Sequence, residues 1–205
     1  MEHYFSENPN TKSERKKIKY TIENKTFEFI TDNGVFSKGK VDSGTDLMLK
    51  TFIKDKKFKK KEKMNVLDIG CGYGTVSVIL KSFYPFLHMT LSDVNERALK
   101  LSEENLKNHN IKGYEIIKSS VFDNISGNFD IILSNPPIRA GKEIIFSIYE
   151  GAYEHLNLNG EFYCVIRTKH GAKSTQKKME QIFGNCETEK IDGGYRVYKS
   201  IKKIK

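Results

Sequence analysis

Apolar and polar positions change period several times along this chain, and the changes divide it into elements. Ile18–Glu23 and Thr26–Thr31 alternate apolar with polar side chains on either side of Asn24-Lys25, the pattern of a β-hairpin. A helical spacing follows from about Asp46 to Ile53, where Asp42 or Thr45 can serve as cap. From Met64 onward, short apolar runs alternate with helical stretches. The runs predict strands at Met64–Ile69, His88–Ser92, Gly113–Lys118, Phe129–Leu133 and Phe162–Arg167. Helices are predicted at Thr75–Phe83, Asn95–Asn108 and Lys142–Leu156, and after residues 168–173 to about Phe183. Asn159-Gly160 reads as a turn before the fifth strand, and Cys186–Ile191 with Tyr195–Ser200 as a closing hairpin across Gly193-Gly194. Strand–helix alternation predicts a parallel α/β sheet, to which the closing hairpin adds one antiparallel member.

Two junctions in this alternation carry candidate chemistry. At the first, Met64–Ile69 runs into Gly70-Cys71-Gly72-Tyr73-Gly74 and then a helix. Such a turn lets a ligand approach bare backbone N–H groups. A dinucleotide fingerprint needs G-x-G-x-x-G, but Thr75 stands where its third glycine belongs, and the pattern is Asp-x-Gly-x-Gly-x-Gly from Asp68. Asp93, at the tip of the next strand, can accept both hydroxyls of a ribose, or can cap the helix that follows. At the second junction, Phe129–Leu133 stops at Asn135-Pro136-Pro137. Two prolines end both sheet pairing and helix. The stretch is a rigid turn, or it holds two acceptors side by side: the Asn135 amide oxygen and a proline carbonyl. Two such acceptors match the two hydrogens of an exocyclic amino group, and engaging both frees the nitrogen lone pair for attack.

Composition narrows the partner. Lys and Arg number 35 against 26 Asp and Glu, a net charge of +9 with a pI near 9.3, a field that favours polyanions. Lys54–Lys63 holds seven lysines in ten residues and reads either as a connector or as an RNA-facing patch. Residues 1–17 read as a polar, basic tail, 18–63 as hairpin, helix and Lys-rich connector, and 64–205 as the main domain, one globular unit with 18–63. The three cysteines and five histidines show neither disulfide nor metal-ligand spacing. No apolar run approaches the roughly 18 residues of a membrane span, so a cytoplasmic protein without membrane or metal is expected.

The motif Val66-Leu67-Asp68-Ile69-Gly70-Cys71-Gly72-Tyr73-Gly74, together with Asp93 and Asn135-Pro136-Pro137, resembles the S-adenosylmethionine-dependent amino-methyltransferases. Phe36-Ser37, Asp42-Ser43-Gly44-Thr45, Ser134–Lys142 and Gly193-Gly194-Tyr195-Arg196-Val197-Tyr198 resemble the RsmC-like small-subunit rRNA guanine-N2 methyltransferases. The likeness covers roughly residues 20–200 and is to the catalytic half of that family; 205 residues leave no room for its N-terminal pseudo-domain. It implies a class I methyltransferase fold: a seven-stranded, mostly parallel sheet with helices on both faces, one antiparallel strand, and a small N-terminal hairpin extension. S-adenosylmethionine would lie with its methionine part against Asp68, Gly70, Cys71, Gly72 and Gly74, its ribose on Asp93 and its adenine near Ser120-Val121, with Asn135 close by. Asn135, Pro136 and Pro137 would be catalytic, and Phe36, Ile138, Arg139, Lys142 and Arg167 would face the substrate. The chain departs from many relatives at Ser120, where they carry Asp or Asn, and at Ile138, where they carry an aromatic that stacks on the base.

The implied reaction is direct methyl transfer to guanine N2 of 16S rRNA, on naked RNA or the small ribosomal subunit, by a monomer. It needs no cysteine nucleophile and no strong base, because the amine can lose its proton afterwards. Orientation alone is worth roughly 7–11 kcal/mol. Asn-Pro-Pro serves adenine N6 and protein glutamine amides equally well, and a non-catalytic RNA-binding assembly factor keeps the same fold.

Overall fold

Two antiparallel strands come first among the described elements, β1 (Lys16–Ile22) and β2 (Lys25–Thr31). The computed structural model describes residues 11–56, 58 and 62–204. Glu23 and Asn24 both have positive φ, 46° and 63°, and Ile22 lies opposite Lys25. The turn is therefore Glu23-Asn24, one residue earlier than the alternation suggested, because two left-handed central residues match the twist of the flanking strands. The expected basic tail is anchored where it is described. The Ser13 hydroxyl and the Glu14 N–H donate to Asp32 at 2.6 and 2.5 Å, and β1 begins at Lys16; residues 1–10 lie outside the described chain.

Helix α1 (Ser43–Asp55) is capped by Asp42, whose carboxylate accepts from the N–H groups of Gly44 and Thr45. Of the Lys-rich run, Lys54 lies in the last turn of α1, Lys56 is its C-cap, and Phe58 packs edge-on against Tyr84 and Phe86. Lys57 and residues 59–61 lie outside the described residues.

The remaining elements are β3 (Met64–Ile69), α2 (Thr75–Phe83), β4 (Leu87–Asp93), α3 (Glu96–Asn108), β5 (Tyr114–Lys118), β6 (Phe129–Ser134), α4 (Lys142–His155), β7 (Leu156–Arg167), α5 (Ala172–Phe183), β8 (Glu187–Asp192) and β9 (Tyr195–Ile201). Seven strands form one sheet in the order β5-β4-β3-β6-β7-β9-β8. β9 alone runs against the other six, antiparallel to both neighbours. Strand residues alternate between two apolar layers. Val66, Ile131 and Leu133 face the hairpin and α1–α3, while Leu67, Ile132 and Cys164 face α4 and α5. Asp130, the one polar residue in the Phe129–Leu133 run, accepts from Asn65 N–H and the Asn157 amide, both at 2.8 Å. The hairpin, a separate sheet, docks on α3 through buried Asn105, which exchanges hydrogen bonds with both backbone groups of Ile30 and donates to the Tyr73 carbonyl.

One expected turn is absorbed into the sheet. β7 starts directly after α4, and Asn159-Gly160 forms an irregularity within it. Asn159 N–H donates to the Lys202 carbonyl and Lys202 N–H to that of Gly160, so the end of β9 draws the segment into the ladder. A Cβ at Gly160 would stand 2.8 Å from the Asn157 carbonyl, which keeps the position glycine. Among the described residues no helix is long and apolar enough to cross a membrane, and no group of three or more His, Cys, Asp or Glu is placed to hold a metal.

Candidate active site

Beyond Ile69 the chain turns at the carboxyl edge of the sheet through Gly70, Gly72 and Gly74, with φ of +73°, +57° and +85°. A Cβ at Gly70 or Gly72 would meet only open space, whereas one at Gly74 would lie 3.1 Å from Ser102. The first two glycines thus lower a cavity wall, and Gly74 lets the turn close on α3; Gly74 itself lines neither cavity described below. The expected row of bare N–H groups is corrected. Gly70 and Cys71 donate to the Ser92 carbonyl, Gly72 to Asp93 Oδ2 at 2.9 Å, and Gly74 to the Cys71 carbonyl. With those donors engaged, the turn offers a phosphate little to bind. It suits a ligand that needs close backbone approach and acceptors.

Asp93 and Asn95 divide the two roles that the sequence left open. Asn95 caps α3, accepting from the N–H groups of Arg97 and Ala98. Asp93 takes the Asn95 N–H on Oδ1 and the Gly72 N–H on Oδ2, at 2.9 Å each. A carboxylate has about four acceptor sites, so capacity remains toward the cavity that Asp93 lines. Burial pushes its carboxyl up to about 6, against the lowering effect of the Asn95, Gly72 and Val94 N–H groups.

This larger cavity, about 180 Å³, is floored by Gly70 and Gly72 and walled by Val94, Ala98, Ile144 and Ile148. Ser119, Ser120 and Val121 close its far end. Val121 has φ 49°, a costly conformation for a β-branched residue. Buried Ser119 holds it there, donating to the Val121 carbonyl and accepting the Asn124 N–H. A smaller cavity, about 40 Å³, adjoins it and is lined by Asp42, Thr45, Asp68, Cys71 and Thr75. Phe36, Gly70, Gly72 and Asn135 border both. Asp68 is buried beside the Ser77 hydroxyl at 3.2 Å. Burial pushes its carboxyl up to about 7, opposed by the Ser77 hydrogen bond and reinforced by the charge of Asp93. Burial also raises the Cys71 thiol well above its ordinary range, so it remains protonated and unreactive.

At the shared border, Asn135 Nδ2 donates to Asp42 Oδ2 and to Thr45 Oγ1, both at 3.0 Å. Among the described residues no donor reaches Asn135 Oδ1 or the Pro136 carbonyl. The Pro137 carbonyl is taken by Ala140 N–H at 2.9 Å, opening a single 3₁₀ turn over Ile138–Ala140. That turn points Ile138 into the apolar layer under α4, so the cavity wall carries Ala140 and Ile144 in its place. Arg139 and Lys142 are exposed beside the turn and line neither cavity. Arg167 is exposed at the end of β7, its guanidinium over the Tyr195 ring and its Nε donating to the Tyr195 hydroxyl at 2.9 Å. The sequence marked Asp42 and Thr45 as candidate helix caps and as part of a stretch resembling the rRNA methyltransferases, without a role for either at the site. Their contact with Asn135, some ninety residues away, left no local signal beyond the cap itself.

The strand order, the glycine turn after β3 and the carboxylate at the tip of β4 define a class I methyltransferase fold. It superposes with a TM-score of 0.83 on the T. thermophilus 16S rRNA N2 G1207 methyltransferase (RsmC), solved with AdoMet and guanosine, at 24% identity over 95% of this chain and 52% of that one. A methyltransferase from Pyrococcus furiosus is similar at a TM-score of 0.65 and 21% identity, covering 78% of this chain and 81% of that one. The chain belongs to the methyltransferase small domain family, whose sequence profile matches residues 26–199. It is 38% identical over 203 residues to Bacillus subtilis "Uncharacterized protein YbxB", with 98% of both chains covered. With ribosomal RNA small subunit methyltransferase C of Erwinia tasmaniensis it shares 35% identity over 173 residues, 82% of this chain and 48% of that protein. It therefore spans about half the length of the named rRNA methyltransferases it matches.

Proposed function

We propose that the protein transfers a methyl group from S-adenosylmethionine to guanine N2 of small-subunit rRNA. The carrying observation is Asn135, whose amide nitrogen is held by Asp42 and Thr45 so that Oδ1 stays available at the meeting of two cavities, while the adjoining Pro136 is buried and lines neither and Pro137 lines the larger. The names of the similar proteins, rRNA methyltransferases among them, support the choice of substrate.

The residues fit the cofactor. The apolar walls of the larger cavity suit a purine, and Asp93 retains acceptors for ribose hydroxyls. The smaller cavity offers Asp42 and Asp68 to an ammonium group. When bound, S-adenosylmethionine supplies an electrophilic methyl on sulfur. Asn135 Oδ1 and the Pro136 carbonyl accept the two N–H groups of the guanine amine, draw its lone pair out of ring conjugation, and stabilise the positive charge that develops on nitrogen. Phe36, on the border of both cavities, supplies the aromatic face that the half-buried Ile138 does not. The target base must leave its stack, so unpaired or opened RNA is the substrate. The exposed Arg139, Lys142, Arg167, Lys169 and Lys173 follow the carboxyl ends of β6 and β7 and meet its phosphates. The reading makes the protein a cytoplasmic, monomeric enzyme.

Incubation of the purified protein with labelled S-adenosylmethionine and either 16S rRNA or small subunits, followed by nucleoside mass spectrometry, tests this. N2-methylguanosine is expected. N6-methyladenosine, or label confined to ribosomal protein, overturns the guanine assignment. Cofactor binding with no transfer to any substrate leaves a non-catalytic RNA-binding factor instead.

A further inference from the structure

Asn135 directly follows β6 of the sheet, but the groups that orient it come from the N-terminal extension. Asp42 is the N-cap of α1, and its Oδ2 accepts three hydrogen bonds: from Gly44 N–H at 2.8 Å, Thr45 N–H at 3.1 Å and Asn135 Nδ2 at 3.0 Å. A carboxylate is an acceptor only, so the Asn135 atom facing it must be the amide nitrogen. The Thr45 hydroxyl, on a buried residue, takes the second amide hydrogen. Turning the amide by 180° would set Oδ1 against Asp42 Oδ2, acceptor against acceptor, and aim an NH₂ group at the incoming amine. The terminal torsion of asparagine is broad and nearly two-fold, so nothing within Asn135 forbids that rotation.

The clamp is itself braced. A Cβ on Gly44 would stand 2.8 Å from the Tyr195 ring and 2.9 Å from Asp42 Oδ2, so only glycine lets the first turn of α1 press against β9 with the Asp42 carboxylate beneath it. Arg167 in turn holds the Tyr195 hydroxyl.

We propose that Asp42 and Thr45 are positioning residues for methyl transfer, fixing the rotation of the Asn135 amide so that its oxygen faces the substrate amine. The inference rests on the amino-methyltransferase reading above and adds to it a reason for the N-terminal extension. At Asp42 one oxygen, Oδ2, serves both the helix cap and the Asn135 amide, so Asp42→Asn, whose amide oxygen can take that place, keeps both, whereas Thr45→Val removes the other acceptor without touching the cap.

The test is a double-mutant cycle read by single-turnover methyl transfer. Thr45→Val should lower kcat about tenfold or more at saturating S-adenosylmethionine, with the melting temperature of the parent; Asp42→Ala should lower kcat as well, and Asp42→Asn should keep most of it. On an Asn135→Ala background Thr45→Val should lower the rate no further. Thr45→Val with the kcat of the parent overturns the proposal, as does an undiminished effect of Thr45→Val in the Asn135→Ala background or a loss confined to cofactor affinity. Side-chain amide NMR of Asn135 supplies an arm that needs no activity: slow hydrogen exchange in the parent and fast exchange in Thr45→Val are expected. Equal exchange rates overturn the clamp. A parent that methylates nothing while its Asn135 amide is protected refutes the proposed function and leaves the clamp standing.

Discussion

Val94, Ala98, Ile144 and Ile148 wall the larger cavity, with Asp93 the charged group among them; the smaller cavity collects Asp42, Asp68, Thr45 and Thr75 in about 40 Å³. The first gains from burying a flat, uncharged ring system and needs acceptors only at its edge. The second sets half-buried Asp42 and buried Asp68 among Val41, Tyr73 and Val76, and keeping a carboxylate out of water costs free energy until a cation arrives. Asp68 shows that cost: burial holds its carboxyl up to about 7. A ligand with an apolar end and a cationic end satisfies both cavities at once. Asn135 lies on their common border, where the proposed transfer needs it.

The contrast can be broken most sharply at that border. Asn135→Ala is expected to lower kcat for methyl transfer by about 10²–10³-fold, the usual loss for one preorganised electrostatic partner, while calorimetry shows nearly unchanged cofactor affinity. Single-turnover rates on small-subunit RNA that match the parent would remove Asn135 from the chemistry. At the rim of the larger cavity the loss should be one of binding. Asp93→Ala is expected to weaken S-adenosylmethionine by about 1.5–3 kcal/mol, the range for hydrogen bonds to a charged group, and titration calorimetry measures it directly.

The smaller cavity should show itself in pH dependence. Because the folded-state pKa of Asp68 lies above its ordinary value, the folded protein binds more protons than the unfolded chain between pH 5 and 7. Stability of the cofactor-free protein therefore falls as pH rises through that window, by at most about 1.4 kcal/mol per pH unit for each such group. Asp93, raised only to about 6, contributes to the lower half. Asp68→Asn should flatten the decline between pH 6 and 7; denaturant unfolding at several pH values that shows the same slope in parent and variant would refute the assignment. The smallest effect on the cofactor is expected at Gly74, which borders neither cavity. Gly74→Ala places a side chain at φ +85° and 3.1 Å from Ser102, costing about 1–2 kcal/mol and a few degrees of melting temperature, with cofactor affinity close to that of the parent.

What could be read from the sequence divides along similar lines. Ile131, Ile132 and Leu133 alternate between two apolar layers, and that period-2 signal is local, so strands and their order relative to the helices were legible. Asp93 and Asn95 are both competent caps two residues apart, and only the position of the Gly72 N–H decides which one faces the cavity. At Ile138 the family resemblance led to the expectation of an aromatic in the site, yet the 3₁₀ turn begun at Pro137 directs this residue into the layer under α4. Residue type could not reveal that rotation. The N–H groups of the glycine turn looked free because their acceptors, Ser92 and Asp93, lie on the neighbouring strand. The Asp42–Asn135 contact is the extreme case, since it joins elements that share no periodicity at all.

The placement of β9 between β7 and β8 bears on how the molecule is made. A chain emerging from the ribosome completes β7, α5 and β8 before β9 exists, so β8 has no sheet partner and the flank of β7 from Glu161 to Arg167 stays open until Tyr195–Ile201 arrives. That flank carries the apolar run Phe162–Ile166, an edge prone to unwanted pairing. Closing it requires β9, alone or already paired with β8, to dock on β7 across the intervening α5, a non-local step of the kind that slows folding. The newborn protein thus passes through a period of adhesiveness that its finished form conceals.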